Sequence, residues 1–213
     1  MQRITKQPEP PFLAGYRRNP AADWDQDVRG EEKKAAREQL CAEQGALCCF
    51  CEGRIRPEPA AMKIAHFVPQ AVDKVQMFVW SNLLGACLGG QGQPPKQQHC
   101  DTRQGSATLD PRLHPVLRLV PGTISFDTQG QIVAAPAKLQ AELDEKLNLN
   151  LEQLRRNRRA AADAMIRQIG SGQWTQAEIE RKCEELRERS VAPRAEYQSY
   201  LLWWLERRLR AAG

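Results

Sequence analysis

Cys48-Cys49-Phe50-Cys51 begins the stretch of sequence that decides how this chain folds, and Cys100-Asp101 lies near its end. The chain contains seven cysteines and three histidines, and all of them except Cys183 lie between residues 41 and 114. The N-terminal sequence lacks the apolar stretch of a secretory signal, so we expect the cysteines to act as metal or redox ligands and not as disulfides. The chemistry of the protein is therefore expected in this one segment.

Four of the cysteines predict a structural zinc site. Cys48 and Cys51 have the Cys-x-x-Cys spacing of a zinc knuckle, in which two thiolates on one tight turn bind the same ion. Cys87 and Cys100 are separated by a segment rich in glycine and proline, which we interpret as a loop inserted between ligands. Four thiolates in two groups favour tetrahedral zinc, although His99 is a plausible fourth ligand in place of Cys100.

The other three cysteines are interpreted separately. Cys183 lies on the apolar stripe of a predicted helix, and Cys41 lies near Ala36 and Leu40 on another, so both are predicted to be buried thiols. Cys49 is consistent with either a ligand or a buried thiol.

A histidine, an asparagine and an aspartate are interleaved with the cysteines. His66 lies on a predicted strand, Asn82 begins a second strand, and Asp101 opens a helix beside a cysteine. A histidine with a near-neutral pKa can take a proton from water that attacks a phosphodiester, and a divalent cation can neutralise charge on the phosphate. An asparagine amide can brace the loop between the strands. A single histidine on a strand is more often structural, but this order of residues inside a zinc frame predicts a nuclease site.

These motifs resemble those of the HNH endonucleases, which belong to the ββα-metal (His-Me finger) nucleases. The matching motifs are Cys48-x-x-Cys51, Ala65-His66-Phe67-x-Pro69, Trp80-x-Asn82-Leu83-Leu84, Cys87 and Cys100-Asp101-x-x-x-Gly105. More specifically, the chain resembles the retron-associated HNH family that includes the PtuB-type nucleases of the Septu anti-phage system. Its sequence from Leu147 to Asn150, followed by Leu154 and several arginines, is similar to the C-terminal half of that family.

The resemblance implies a role for each matching residue. His66 would be the general base, Asn82 the residue that braces it, and Asp101 the ligand of a catalytic Mg²⁺ or Mn²⁺. The structural zinc ligands would be Cys48, Cys51, Cys87 and Cys100. The implied reaction is hydrolysis of a nucleic-acid phosphodiester, with DNA favoured over RNA as the substrate.

The resemblance also implies partners. It implies that the nuclease is the effector of an anti-phage defence complex, in which an ABC/SMC-like ATPase of the PtuA type gates its activity. It leaves open a retron reverse transcriptase with its RNA–DNA hybrid as a further partner.

Three features differ from the family pattern. The residue before the general base is usually acidic and helps to hold the metal, whereas Ala65 has no ligand atom. Gln104 stands where a lysine is common, and the spacing between Cys87 and Cys100 is expanded. The alternative function is therefore a catalytically weak, zinc-stabilised nucleic-acid-binding or scaffold subunit. A redox or zinc-storage protein is a third class, but it gives His66, Asn82 and Asp101 no role.

The expected fold is α+β and mainly helical, with a zinc-pinned ββα-metal HNH core between an N-terminal helix and a C-terminal helical region. We divide the chain into residues 1–45, an N-terminal arm and helix; residues 46–110, the nuclease core with its zinc site; and residues 111–213, a small hairpin and a helical region for partner or nucleic-acid contact. The hairpin is expected from strand-like runs at 116–120 and 123–126, a turn at Gln129-Gly130, and Ile132-Val133.

The helical prediction rests on apolar spacing. Helices are expected over residues 27–44, along a stripe from Leu147 to Ile169 that is closed by residues 170–172, and after a capping box at Thr175 and Glu178. A last helix follows Pro193, with an apolar face and two further apolar residues, Leu202 and Trp203, on its other side.

Charge and composition exclude few partners. The chain has 31 lysines and arginines against 26 acidic residues, a net charge of +5, which permits a polyanionic partner without requiring one. No apolar run approaches the ~18 residues that a membrane span needs, so we expect a soluble, cytoplasmic protein with no membrane partner.

Three surface features have alternative interpretations. Arg155, Arg156, Arg158 and Arg159 could follow a phosphate backbone or form a solvated helix face. Trp203 and Trp204 could stack on bases, but docking on a partner protein is favoured. The proline-dotted arm at residues 1–22 could contact a partner or be a disordered chain end.

Overall fold

Helices account for most of the regular structure in the computed structural model, which describes residues 1–118, 120, 122–169, 174–188 and 193–212. The elements in chain order are α1 (Phe12–Arg18), α2 (Gly30–Glu43), β1 (Lys63–His66), β2 (Leu83–Ala86), α3 (Cys100–Gln104), β3 (Ile124–Phe126), β4 (Ile132–Ala134), α4 (Ala137–Ala141), α5 (Glu152–Ile169), α6 (Gln176–Arg187) and α7 (Gln198–Ala212). A π-helical turn, Glu142–Lys146, continues α4. The predicted α+β class is therefore confirmed.

Strands β1 and β2 form an antiparallel pair in which His66 lies opposite Leu83 and Lys63 lies opposite Ala86. A loop of sixteen residues, 67–82, joins them and contains two short 3-10 helices, Lys74–Phe78 and Trp80–Asn82. All four residues of β2 are buried. The helix α3 follows β2 along the chain, after a loop that contains the 3-10 turn Pro95–Gln97.

The free edge of β2 is covered by a glutamine side chain. Gln44, at the end of α2, accepts a hydrogen bond from the Gly85 N–H at 2.7 Å through Oε1, and its Nε2 donates to the Gly85 carbonyl at 2.8 Å. The same Nε2 donates to the Leu47 carbonyl at 2.7 Å. Gln44 is buried, so this amide replaces a third strand and satisfies backbone groups that water cannot reach.

Two apolar cores lie in the described part of the chain. The larger contains side chains from α1, α2, β1, β2 and the π-helical turn, including Leu13, Leu40 and Leu83. The smaller lies between α5, α6 and α7 and contains Met165, Ile179 and Leu205. Phe126 of β3 packs against both.

The N-terminal arm packs on its own chain, so the alternative of a disordered chain end is wrong, while contact with a partner stays a prediction. Met1 and Ile4 are buried in the larger core. The Lys6 ammonium donates to the Leu83 carbonyl at 2.7 Å and pairs with Glu43 at 3.1 Å. These contacts attach the beginning of the arm to the larger core and to β2.

The predicted hairpin is confirmed as β3 and β4, with Asp127 Oδ1 accepting hydrogen bonds from the turn. The expected strand at 116–120 is wrong over residues 116–118, which form a turn; residue 119 lies outside the described residues. His114 Nδ1 accepts from the Val116 N–H at 3.2 Å, and the Arg118 N–H donates to the His114 carbonyl at 3.1 Å. These local bonds occupy the backbone groups that a strand would need for pairing.

Two of the three long C-terminal helices, α5 and α7, begin later than the sequence predicted. Helix α5 begins at Glu152, because Asn148 has a left-handed φ of 49° that interrupts any helix from Leu147. The side chain of Ile169 and residues 170–172 lie outside the described residues. The capping box of α6 is confirmed, and α7 begins at Gln198. None of the described helices is long and apolar enough to cross a bilayer.

We expect Gln44→Leu to lower the free energy of unfolding by about 2–4 kcal/mol, because it removes three buried hydrogen bonds and leaves the Gly85 N–H without a partner. Chemical denaturation of zinc-loaded protein would measure the change. Glu38→Gln, an exposed change on the same helix, serves as the control and should stay within about 0.5 kcal/mol of wild type. Equal stability of the Gln44 and Glu38 variants would contradict the strand-replacing role.

Candidate metal centre and catalytic site

A tight turn after α2 places two cysteines side by side. Leu47 and Arg54 form an antiparallel bridge, and inside it the Cys48 N–H donates to the Gly53 carbonyl at 2.9 Å. Glu52 has a left-handed φ of 63°, which turns the chain back after Cys51. The Gly53 N–H then lies 3.4 Å from Cys51 Sγ, where it can donate to a thiolate. This is the local geometry that the Cys-x-x-Cys spacing predicts.

The four predicted ligands converge. The Sγ atoms of Cys48, Cys51, Cys87 and Cys100 all lie within 4.8 Å of one another. The Cys48–Cys100 and Cys51–Cys87 Sγ distances are each 3.8 Å. Zinc–sulfur bonds of about 2.3 Å in a tetrahedron give sulfur–sulfur edges of about 3.8 Å, whereas a disulfide needs about 2 Å. The donor set and its spacing therefore fit a zinc ion, and four sulfur ligands leave no open position for water.

The structure selects Cys100 over His99 as the fourth member of the cluster. Cys100 begins α3 with a left-handed φ of 55°, and its N–H donates to the Leu147 carbonyl at 2.9 Å. His99 Nδ1 lies outside the cluster, 3.1 Å from Cys100 Sγ and 3.9 Å from Cys87 Sγ. From there a protonated Nδ1 can donate a hydrogen bond to a thiolate.

The remaining cysteines are not members of this group of four. Burial raises the pKa of the Cys49 thiol well above its usual range, so Cys49 is a neutral buried thiol despite its place in the turn. Burial also raises the pKa of Cys41 and of Cys183. Both are buried and unpaired, as the sequence predicted. At Cys48, by contrast, burial opposes ionisation, but hydrogen bonds from Cys100 and other neighbouring thiols lower its pKa.

His66 is held at the end of β1 by a backbone carbonyl. Its Nε2 lies 3.0 Å from the Met77 carbonyl, which can only accept, so this nitrogen carries the proton and Nδ1 keeps its lone pair. Gln70 Nε2 lies 3.4 Å from that Nδ1. Burial lowers the pKa of His66 to about 4, so the imidazole is neutral at pH 7. A neutral, oriented imidazole can act as a general base.

Asn82 ties together both ends of the loop between β1 and β2. Its Oδ1 accepts from the Val68 N–H at 2.8 Å, and its Nδ2 donates to the carbonyls of Val68 at 3.1 Å and Gln76 at 3.0 Å. The loop residue that follows Gln76 supplies the carbonyl that orients His66. The predicted brace thus has a geometric basis, because Asn82 fixes the backbone to which the imidazole is hydrogen-bonded.

Asp101 lies in the first turn of α3, beside a lysine. The Lys63 ammonium is 3.7 Å from Asp101 Oδ2, and it donates to Thr102 Oγ1 at 2.8 Å. Burial raises the pKa of Asp101, although the Lys63 charge opposes this effect. Side chains alternate along a strand, so Lys63 and His66 project from opposite faces of β1. Among the described residues, none forms a hydrogen bond or an ion pair with both His66 and Asp101.

Two other residues that differ from the expected pattern are internal. Ala65 is 1% exposed and lies opposite Leu84 in the sheet. Gln104 is also buried, and its Nε2 donates to the carbonyls of Phe67 at 3.0 Å and Ala107 at 3.2 Å. Gln104 therefore holds backbone and does not face a substrate phosphate.

The sequence interpretation missed one aromatic residue that covers the candidate base. The Trp24 ring lies edge-on to the His66 ring, with centroids 5.2 Å apart, and is buried. Trp24 belongs to the segment between α1 and α2, and nothing in its sequence context indicates a contact with His66. Lys33 of α2 lies 6.0 Å from the same indole ring.

The arginine cluster is not one continuous basic face, because one of its four members is buried, and both interpretations considered for the cluster are wrong for that residue, Arg158. Arg158 is 2% exposed, and its guanidinium donates to the carbonyls of Gly130 and Leu149. Arg155 and Arg159 each lie 3.4 Å from a carboxylate oxygen of Glu152. Arg156 is exposed, Arg158 is internal, and Arg155 and Arg159 share Glu152, so the four side chains do not form one surface.

The paired tryptophans also contact their own chain, and docking on a partner protein stays a prediction. Trp203 stacks on Tyr200 with centroids 5.6 Å apart, and Trp204 lies edge-on to Trp174 at 5.8 Å. The Arg208 guanidinium lies 4.2 Å from the Trp204 ring centre. Both tryptophans are half-buried parts of the smaller core.

We expect Cys51→Ala to lose zinc and to melt about 10 °C or more below wild type. Zinc binding contributes to folding, and a loss of about 1 kcal/mol in the free energy of unfolding corresponds to about 2–4 °C in melting temperature. Metal analysis and a thermal melt measure both effects. Cys183→Ala, which removes a buried thiol from the other core, should keep its zinc. Retention of zinc and native stability by Cys51→Ala would exclude a site with four cysteine ligands.

Replacing Asn82 by alanine should loosen the loop without removing zinc. Three hydrogen bonds are lost, so amide exchange across residues 67–77 should become faster, and stability should fall by about 2–3 kcal/mol. Hydrogen–deuterium exchange followed by mass spectrometry resolves this segment. Asn19→Ala, in an exposed turn, is the control. Unchanged exchange in the loop of the Asn82 variant would argue against the brace.

Comparison with known proteins supports the HNH resemblance at a coarse level. No protein-family model matches the chain. The chain is 31% identical over 117 residues to an Escherichia coli protein named "Retron Ec83 putative HNH endonuclease". The match covers 48% of this chain and 45% of that protein, so it spans less than half the length of the relative. The chain is thus similar to a retron protein whose name describes an HNH nuclease.

Proposed function

We propose that this chain is a metal-dependent HNH endonuclease that hydrolyses phosphodiester bonds of nucleic acid, DNA in preference to RNA. The observation that carries the proposal is the braced His66, which combines a neutral imidazole, a fixed tautomer and a backbone held by Asn82. It ends the first of two antiparallel strands that precede a short helix, in a chain that also forms a cluster of four cysteines. The similarity to a retron protein named for HNH activity supports the same reaction.

In the proposed reaction, His66 Nδ1 takes the proton of the attacking water. The Nε2–H bond to the Met77 carbonyl keeps the lone pair on Nδ1 and stabilises the charge that forms on the ring. Asp101 would hold a Mg²⁺ or Mn²⁺ ion, which supplies charge stabilisation at the scissile phosphate when it is bound. Cys48, Cys51, Cys87 and Cys100 would hold zinc as a structural ion that fixes α3 against the turn after α2.

The proposed biological setting is an anti-phage defence complex of the retron or Septu type. The name of the Escherichia coli relative supports the retron setting. In that setting, we propose that the chain is a PtuB-like effector and that an ABC/SMC-like ATPase of the PtuA type restrains it, with a reverse transcriptase and its RNA–DNA hybrid as a further partner. The core at residues 46–110 would carry the nuclease, and residues 111–213 would provide the contact surface.

A second candidate is a catalytically weak, zinc-stabilised nucleic-acid-binding or scaffold subunit. Two observations favour it. Ala65 offers no ligand atom, and the Lys63 ammonium already lies 3.7 Å from Asp101 Oδ2, where it would compete with a divalent cation. Both candidates keep the same zinc site, so zinc content does not separate them.

We expect nuclease activity that depends on Mg²⁺ or Mn²⁺ and that His66→Ala lowers by about 100-fold or more, since a general base typically contributes about 10²–10⁴-fold. The assay uses plasmid, single-stranded DNA and transfer RNA, with and without the ATPase. His114→Ala is the matched control, because it also removes a buried imidazole, one that contacts only Phe67 and the local backbone among its described partners.

The result separates the two candidates. Equal activity of His66→Ala and wild type would contradict the proposed base. A wild-type protein that is inactive although its zinc and fold are intact would favour the scaffold subunit. In that case, Ala65→Glu should create cleavage only if a missing metal ligand is the cause of the inactivity.

A further inference from the structure

Arg158 is a buried cation without a carboxylate partner. It is among the largest fully buried side chains of the protein. Among the described residues, its guanidinium donates hydrogen bonds only to the Gly130 and Leu149 carbonyls, both at 2.9 Å. Within the part of the chain that the structure describes, no acidic side chain forms an ion pair with it. A buried, uncompensated charge is costly, so the position of this arginine needs an electrostatic explanation.

Arg158 lies beside the cysteine cluster. A cavity is lined by both Cys51 and Arg158, together with Glu52, Tyr197 and Phe50 among others. Arg158 donates a hydrogen bond to the Leu149 carbonyl, and two residues earlier the Leu147 carbonyl accepts one from the Cys100 N–H. The cluster and the guanidinium are therefore joined through three consecutive residues.

The buried carboxylate that lines the same cavity, that of Glu52, already has other partners. Glu52 accepts from the Ser199 N–H at 2.8 Å and from the Ser199 hydroxyl, and it lies 2.9 Å from the amino group of Met1. Its charge is thus satisfied by α7 and by the N-terminal arm, and Arg158 remains the unbalanced cation on this side of the cluster.

Four thiolates around Zn²⁺ leave a net charge of about −2. In a buried site this excess negative charge is as unfavourable as an unpaired arginine, and the two charges compensate each other when they lie close together. We propose that Arg158 is the counter-ion of the zinc–tetrathiolate centre, so that α5 supplies charge balance to a metal site whose ligands all come from residues 48–100.

Neighbouring residues place α5 and α7 against the same centre. Tyr197 lies so close to the turn that a Cβ built on Gly53 would be 3.4 Å from both the Tyr197 hydroxyl oxygen and Cys51 Sγ. Asn157, next to Arg158, donates to that hydroxyl at 3.0 Å. The C-terminal helices therefore contribute to the outer shell of the centre, and outer-shell residues generally orient ligands and adjust metal affinity.

The experiment compares zinc affinity in Arg158→Gln, Arg158→Lys and Arg156→Gln, by competition with a chromophoric chelator at constant pH. Arg158→Gln should bind zinc about 10- to 100-fold more weakly than wild type, as is usual when an outer-shell partner is lost. Arg158→Lys, which keeps the charge, should lie closer to wild type. Arg156→Gln, an exposed change on the same helix, should not differ.

A stability comparison distinguishes a counter-ion from a residue that only holds backbone. If Arg158 balances the centre, Arg158→Gln should lower the melting temperature of the zinc-loaded protein more than that of the zinc-free protein. A purely structural role would lower both equally. Cobalt substitution checks that the absorption of a four-thiolate site is unchanged in each variant.

Two results would overturn the proposal. Wild-type zinc affinity in a folded Arg158→Gln variant would do so, as would equal losses of stability with and without zinc. The inference rests on the proposed zinc site and not on nuclease activity. Wild-type protein that binds no zinc would exclude both the zinc site and the counter-ion role of Arg158. Protein that binds zinc tightly but shows no nuclease activity would leave the counter-ion test intact. If Arg158→Gln does not fold, zinc affinity in Arg158→Lys at or below a tenth of wild type would also contradict charge balance.

Discussion

Convergence of four buried sulfur atoms on one point is the constraint on which the rest of this structure depends. Cys48 and Cys100 are 52 positions apart in sequence, yet their Sγ atoms lie 3.8 Å apart. The four members come from three local structures: Cys48 and Cys51 from one tight turn, Cys87 from the end of β2 and Cys100 from the beginning of α3. The strands are only four residues long, so their own hydrogen bonds stabilise little, and a metal ion that joins these segments would contribute what a small sheet cannot.

The candidate catalytic residues depend on this frame indirectly. Gly85 of β2 accepts a hydrogen bond from the Cys49 N–H of the turn, and β2 in turn aligns Asn82 and His66. The candidate base, His66, is then oriented by a backbone carbonyl and not by an acidic side chain. Such an arrangement needs a rigid loop, which explains why Asn82 makes three hydrogen bonds to it.

Much of the site was predictable from short-range patterns. The Cys-x-x-Cys spacing predicted the turn, and the order of Cys87 and Cys100 predicted the second half of the cluster. The choice between His99 and Cys100 was not predictable, because it depends on the left-handed backbone at Cys100 and on a bond to Leu147. Catalytic roles for His66, Asn82 and Asp101 stay predictions.

Long-range packing decided what the sequence left open. An arginine run has the same appearance whether its side chains are solvated or buried, and only the tertiary fold distinguishes Arg158 from Arg156. The strand expected near Val116 does not form, because a histidine side chain accepts hydrogen bonds from the local N–H groups. What the arm at residues 1–22 packs against was not predictable, because its contacts, such as Lys6 with Leu83, join distant positions.

The attachment of α7 to the cysteine-bearing turn bears on modularity. The Tyr197 N–H donates to the Glu52 carbonyl, the Glu52 carboxylate accepts from Ser199, and the Arg54 N–H donates to Glu196. The turn and the last helix therefore form one structural unit, although most of the sequence lies between them. A recombination event or an engineered fusion that transplanted residues 46–110 alone would carry the ligands but lose the surface on which their turn is built.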